Sequence, residues 1–398
     1  MAVRQEIDPA VYRLAGAHFV SDAYSNIYAP LLPALIPRLG LSLAAAGTLA
    51  MLFQLSAPVS QLGFGHLADR WRPRVLVVAG PVVSVAILSF IGIAWSPVVL
   101  GLVLVAGGLG GAAFHPTSAA LVHRLGGSRR GLAMSIHITG GSLGYSLAPV
   151  LFAPFVGTFG LSWTPILALP GLALLAAVMG RAPQVRPFGT GPGGGFAILR
   201  PYAKPLTLLY LIVVLRTMTS LSLATFVPVL LTRQGWSVGM AGVAVSIYLF
   251  AASMGGFTGG PLADRFGPKR VIAASMLLAV PLLVTATRLD GWSLVIMLTA
   301  GGFFLQSTLP VNVTFAHQIA PVSAATVSSL MMGFAWGTGG LTAPLVGSMA
   351  DRFGIEPTLT VIAFLPLLAA LFAVPLPGGL WHEAAGHAGG GRPLQEKT

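Results

Sequence analysis

The sequence predicts an all-α membrane protein of twelve transmembrane helices in two pseudo-symmetric six-helix bundles, and three observations carry that prediction. The 398 residues are 55 % hydrophobic and only 8 % charged, more apolar side chain than a water-soluble core of this length needs or can hide. Charges, prolines and glycines mark off twelve apolar stretches of roughly 20 residues, each long enough to cross about 30 Å of hydrocarbon as a helix. The two halves of the chain also repeat each other, in spacing as well as in composition.

The spans run 14–37, 44–66, 75–95, 98–122, 131–158, 161–180, 205–231, 238–263, 271–287, 291–316, 322–350 and 357–377. The opening MAVRQEIDPA is polar and of mixed charge, and no small-residue cleavage site follows the first apolar run, so that run reads as a retained span. At an offset of 195, RLGLS (38–42) meets RQGWS (233–237) and GHLADRW (65–71) meets GPLADRF (260–266). At 194, Pro116 meets Pro310 and His123 meets His317. The domains expected are therefore an N-terminal bundle at 1–180, a linker at 181–204, a C-terminal bundle at 205–377 and a disordered tail at 378–398. Parallel six-span repeats place a binding site at mid-membrane between the bundles, where rocking one against the other alternates access.

A formal charge of +12 invites a polyanionic partner until it is mapped. With the N-terminus inside, 17 of the 22 Lys and Arg fall on the cytoplasmic side and only Arg38, Arg233, Arg288 and Arg352 outside. That is the positive-inside bias; it sets orientation and argues against nucleic acid. Both termini are then cytoplasmic. Absence of Cys removes disulfides and thiolate metal sites.

Two motifs are set aside. GTGPGG (189–194) matches a dinucleotide fingerprint, but no strand precedes it, so it reads as linker. HEAAGH (382–387) puts its His five apart, where a zinc protease helix needs four, so no metal is expected there. No Ser/His, paired-carboxylate or metal-ligand set recurs at working spacing, so the chain is not expected to be an enzyme or to carry a cofactor. Glycine pairs in spans four, five, eight and eleven let helix backbones approach closely in lipid.

The strings GHLADRWRPR (65–74) and GPLADRFGPKR (260–270) each close an even-numbered span on the cytoplasmic side. They resemble the signature loop of the major facilitator superfamily, and the likeness covers the whole twelve-span layout. The resemblance implies the major facilitator fold and gating roles for Gly65, Asp69, Arg70, Gly260, Asp264 and Arg265, with Arg72 standing where the family usually has Gly. A third string, GSMADRFG (347–354), follows an odd-numbered span on the other side and is given no gating role.

Three further stretches, AHFVSDAYSNIYAPLLPAL in span one, GGAAFHPTSAALV in span four and SIHITGGSLGYSLAP in span five, resemble the fosmidomycin resistance protein subfamily of that superfamily. This implies a drug-resistance antiporter of the bacterial inner membrane, exporting small drug-like or anionic compounds against protons as a monomer. The subfamily's superfamily relatives carry an Arg in span four and Gly-Pro in span five; here LVLVAGGLGG has no Arg and Ala148-Pro149 replaces Gly-Pro. The alternatives are a proton-linked importer of a small organic anion or sugar, and a transport-inactive receptor or scaffold.

Asp22 is the only acid within a span, and Arg216 the only base within span seven. A charge at bilayer depth costs about 2.5–3.5 kcal/mol on insertion scales, so it faces a wet cavity or a partner. His18, four residues before Asp22, shares its helical face and makes the two a candidate proton-coupling pair. Arg216 offers a fork for carboxylate or phosphonate oxygens, or an ion pair to Asp22. His115, His137, Asn26, Tyr24 and Tyr145 are candidate pocket residues, each with helix-to-helix hydrogen bonding as the competing reading.

Overall fold

The computed structural model describes residues 7–70, 73–180, 196–321 and 324–377, and among them every regular element is a helix. The first half comprises α1 (Pro9–Ser25), α2 (Tyr28–Leu39), α3 (Leu43–Arg70), α4 (Pro73–Leu88), α5 (Pro97–Leu125), α6 (Arg130–Phe159) and α7 (Ala168–Met179). The second comprises α8 (Ala203–Arg233), α9 (Val238–Phe266), α10 (Pro268–Ala286), α11 (Gly291–Ile319), α12 (Ala324–Ser328), α13 (Ala335–Gly340), α14 (Ala343–Phe353), α15 (Ile355–Ala363) and α16 (Leu365–Ala373). Most of the expected linker, with GTGPGG, and the whole tail, with HEAAGH, lie outside the described residues.

Start signals are local chemistry. Asp8 accepts from Ala10 N at 2.8 Å with Pro9 at the first helical position, and Ser96 caps α5 through Val99 N at 3.2 Å ahead of Pro97.

Among the described residues, nine helical stretches are long and apolar enough to cross a membrane. The expected first, second and eleventh spans are missing from that set: the second, in α3, counts there only as the shorter apolar helix Leu43–Ser56, and the other two are broken. In the first, Pro30 lacks the N–H that would bond the Asn26 carbonyl four residues back, and α1 stops at Ser25 while α2 restarts at Tyr28 and runs on through Pro33. In the eleventh, a π-helical segment, Ser329–Phe334, and a break at 341–342 divide α12, α13 and α14. Wide π turns of this kind disrupt the regular ladder and recur at functional sites.

Within each half the packing follows the repeat. α3 lies on α5 as α9 lies on α11, and α1 lies on α6 with Gly140 and Gly144 against the backbone carbonyls of Ala15 and Phe19. Any β-carbon at Gly144 would collide with the Phe19 carbonyl, so the close approach requires glycine there. The opposite faces carry exposed apolar side chains, among them Leu102, Phe257 and Ile296, as a lipid-facing wall does.

α2 lies against α8, and the halves meet most extensively through two pairs that the repeat relates to each other, α6 with α9 and α3 with α14. In both, the contact uses the ends remote from the linker: Val150 N donates to Ser246 Oγ at 2.9 Å, and Asp351 accepts from Leu43 N at 2.9 Å and Ala44 N at 2.8 Å. The string 347–354, expected to have no part in gating, therefore sits in the interface between the bundles. The reason is geometric: α14 ends where α3 begins, and an acid there meets unpaired helix amides.

Candidate functional site

α1 enters the first bundle between α5 and α6, and this brings four titratable side chains together. Asp22 Oδ2 lies 3.2 Å from His18 Nε2, and Asp22 Oδ1 lies 3.5 Å from His115 Nε2 of α5. His18 Nδ1 lies 2.8 Å from the backbone carbonyl of His137 on α6, and the two rings stack with centroids 4.2 Å apart. His137 Nε2 meets Ser118 Oγ at 3.2 Å, while that hydroxyl also bonds the His115 carbonyl at 3.1 Å. Phe114 closes the apolar side at 5.7 Å from both His18 and His115. Asp22 keeps 19 % of its side-chain surface open and His115 30 %, so the cluster is enclosed by protein yet reachable by water.

Tautomers follow from the partners. A carbonyl only accepts, so His18 Nδ1 carries a proton and a neutral His18 turns the Nε2 lone pair toward the carboxylate. Two acceptors then face each other. One positive species between them turns repulsion into attraction: a proton, or a metal ion, for which His18, Asp22 and His115 offer ligand atoms all within 4.8 Å of one another. In His137, Nε2 donates to Ser118 if the hydroxyl gives its own proton to the His115 carbonyl.

Arg216, on α8 in the other half, is 1 % exposed. One guanidinium nitrogen donates to Gln306 Oε1 of α11 and another to Thr217 Oγ1 at 3.1 Å; the Nε–H has no partner among the described residues. Gln306 in turn donates to Ser220 Oγ at 3.1 Å, and the guanidinium carbon lies 5.4 Å from the ring centre of Trp336 on α13. Among the described residues no carboxylate pairs with Arg216. The ion pair between Asp22 and Arg216, one of the two readings of the sequence, does not form because each charge is engaged within its own bundle. The 195 offset puts Asp22 over Thr217, so the Arg216 fork, bonded to Thr217, occupies the pseudo-equivalent place in the second bundle.

The other expected residues divide. Tyr24 donates to the Leu167 carbonyl and Asn26 Nδ2 to the Tyr145 carbonyl at 2.8 Å, and both are buried. These polar groups tie helices together instead of opening into a pocket. Tyr145 is half-buried, and His137 supports His18 from behind, 2 % exposed. Of the gating residues, Gly65, Asp69 and Arg70 lie in α3, their side chains outside those described; Gly260 has open space beside it, Asp264 is exposed and Arg265 packs on Phe266 at 5.2 Å. Gln306, Ser220, Ser118 and Trp336 went unmarked in the sequence. Gln306 carried a usable signal, an amide in an apolar span, shared there with Asn312.

Comparison with known proteins bears on this arrangement. The family model described as Major Facilitator Superfamily matches residues 14–212 and 208–396. An uncharacterized MFS-type transporter, YfnC, of Bacillus subtilis is 28 % identical over 392 residues, covering 94 % of this chain and 95 % of its own. The fosmidomycin resistance protein of Escherichia coli is 28 % identical over 374 residues, covering 89 % of each. Among solved structures, a bacterial homolog of the human lysosomal transporter Spinster, inward-facing and unoccupied, superposes with a TM-score of 0.77 at 18 % identity, covering 94 % of this chain and 97 % of that one.

Proposed function

The chain belongs to the major facilitator superfamily, and from that premise we propose that it exports small anionic or drug-like compounds across a bacterial inner membrane in exchange for protons. The observation that carries the reading is the separation of two charges within the spans, one partly open to water and one buried. Asp22 is held by imidazoles in one bundle, and among the described residues Arg216 meets a neutral amide, a hydroxyl and an indole ring in the other, with no carboxylate. Had they neutralised each other, neither would be free for cargo. Apart, they provide one seat for a proton and one for an anion.

In the proposed cycle the His18–Asp22 pair takes a proton when the far end is open, and the protonated carrier turns its cleft to the linker end. There an organic anion displaces Gln306 from the Arg216 fork, with Trp336 as an apolar wall beside it. Proton and anion bias the two access states oppositely because each binds them with different affinity, and coupling requires nothing more. With the linker end cytoplasmic, as the basic loops imply, this direction is efflux. The resistance function named for the relative from Escherichia coli supports the same direction.

The test is intracellular accumulation of fosmidomycin and a panel of small organic anions in cells lacking their own pumps. The intact chain should lower accumulation of at least one compound, and an uncoupler or Asp22→Asn should restore it. Accumulation that is raised, or unchanged for every compound, overturns export.

A further inference from the structure

We infer that Asp351 is a gating residue of the transport cycle: its carboxylate caps a helix of the opposite bundle and holds the far end of the molecule closed.

α3 begins without an acid in its first turn, so its leading amides need partners from elsewhere. Ser42 Oγ accepts from Ala45 N at 3.0 Å, a cap from α3's own chain neighbourhood. The two amides before it, Leu43 N and Ala44 N, go one each to the two oxygens of Asp351, at 2.9 and 2.8 Å, from more than 300 residues along the chain. A carboxylate across a helix N-terminus gains both charge-assisted hydrogen bonds and the favourable end of the helix dipole. Asn would keep one of these contributions in part, and Ala neither.

The bond forms because the backbones come unusually close. Gly47 of α3 lies against the Ala343 carbonyl of α14, and Gly347 of α14 lies against the Leu43 carbonyl of α3, a reciprocal contact that admits no β-carbon on either side. One turn beyond Gly347, Asp351 is delivered onto the start of α3. The device is present on one side only. At the 195 offset that aligns Ala148-Pro149 with Ala343-Pro344, Asp351 falls on Val156, so the related α6–α9 contact closes without a carboxylate.

These contacts join opposite bundles at the end remote from the linker, so that end cannot open while they persist. Opening exposes Leu43 N and Ala44 N to water and frees Asp351. The capping bond thus belongs to one access state and is absent from the other, which is what a gate residue must satisfy. The inference rests on alternating access, a family property, and not on the cargo or the coupling ion.

The test measures conformation without substrate. The sequence contains no Cys, so introduced pairs label uniquely: Trp95→Cys with Arg288→Cys at the far end, and His123→Cys with Arg270→Cys at the linker end. Spin-label distance distributions in nanodiscs should show Asp351→Ala raising the far-end-open population about fivefold, the size expected from losing a helix cap. The far-end pair should lengthen and the linker-end pair shorten, with Asp351→Asn intermediate. Ser42→Ala, which removes only the local cap, should leave both distributions in place. Unchanged distributions in Asp351→Asn and Asp351→Ala overturn the inference, as does an equal shift in Ser42→Ala, which would mark simple helix fraying. Should Asp351→Ala fail to fold, Asp351→Asn decides alone. A shift here with no transport of any tested compound would leave the gate standing and remove the export proposal.

Discussion

The backbone carbonyl of His137 fixes the imidazole of His18: with Nδ1 held at 2.8 Å by that carbonyl, Nε2 has no direction left but toward Asp22, 3.2 Å away. A residue on α6 therefore decides how a pair on α1 handles a proton. The i, i+4 spacing alone brings the two groups to one face, and the long-range bond gives their contact its polarity.

That polarity makes Asp22→Asn informative. The Asn amide can donate to the His18 Nε2 lone pair, so the contact survives while ionisation is lost. Uphill transport driven by a pH gradient should fall at least tenfold in proteoliposomes. Exchange of labelled for unlabelled substrate at equal concentrations, which needs no net proton movement, should persist. Loss of both reactions would make Asp22 a structural residue; retention of both would remove it from coupling.

Arg216 supports a prediction with opposite signs for stability and binding. Gln306→Glu places a carboxylate where a neutral amide now accepts from the guanidinium, giving the buried cation the counter-ion it lacks among the described residues. Thermal stability in detergent should hold or rise, while affinity for anionic substrates should drop about ten- to a hundredfold, the range of one charge-assisted hydrogen bond. Arg216→Lys should lose anion affinity too, because a point charge does not replace a planar fork. Titration with a labelled anion and a melting scan on the same samples check both halves.

Packing gives a prediction independent of transport. At Gly259 an added β-carbon would collide with the Ser307 carbonyl, and at Gly255 with that of Phe303, which fixes how closely α9 approaches α11. Gly259→Val should destabilise by about 1–3 kcal/mol or block folding, since a backbone carbonyl cannot rotate away as a side chain does. Gly260→Val, one residue on and facing open space, should be nearly neutral. Thermal midpoints of the two variants separate these outcomes.

The layout of the molecule was legible because membrane crossing imposes length, apolarity and positive-inside charge on sequence directly. The duplication showed for the same reason: a conserved spacing survives as repeated strings. Asp22 and His18 stood out as charges in an apolar run on one helical face. His115 and His137 were visible as polar residues, but their convergence on Asp22 depends on how α5 and α6 pack, and no local pattern encodes that. Tyr24 and Asn26 went the other way: nothing local distinguishes a tyrosine that lines a pocket from one that bonds a carbonyl on a neighbouring helix. Asp351 was passed over because its string was judged by which side of the membrane it occupied, whereas its role comes from the helix end it meets.

Gly141 provides the sharpest separation of the coupling seat from the helices that build it. It lies on α6 beside the pair, and a β-carbon there would sit 2.5 Å from His18 Nε2 and 2.6 Å from Asp22 Oδ2, inside contact distance of both. Gly141→Ala changes no charge and deletes no polar atom, and alanine is the better helix former, so the helix itself should not suffer. The methyl group instead displaces the imidazole and carboxylate from each other and excludes water from the contact. Uphill transport should fall at least tenfold while the protein keeps its melting temperature within a few degrees and Arg216 still binds anions. Full gradient-driven activity in Gly141→Ala would mean that the proton is carried somewhere other than between His18 and Asp22.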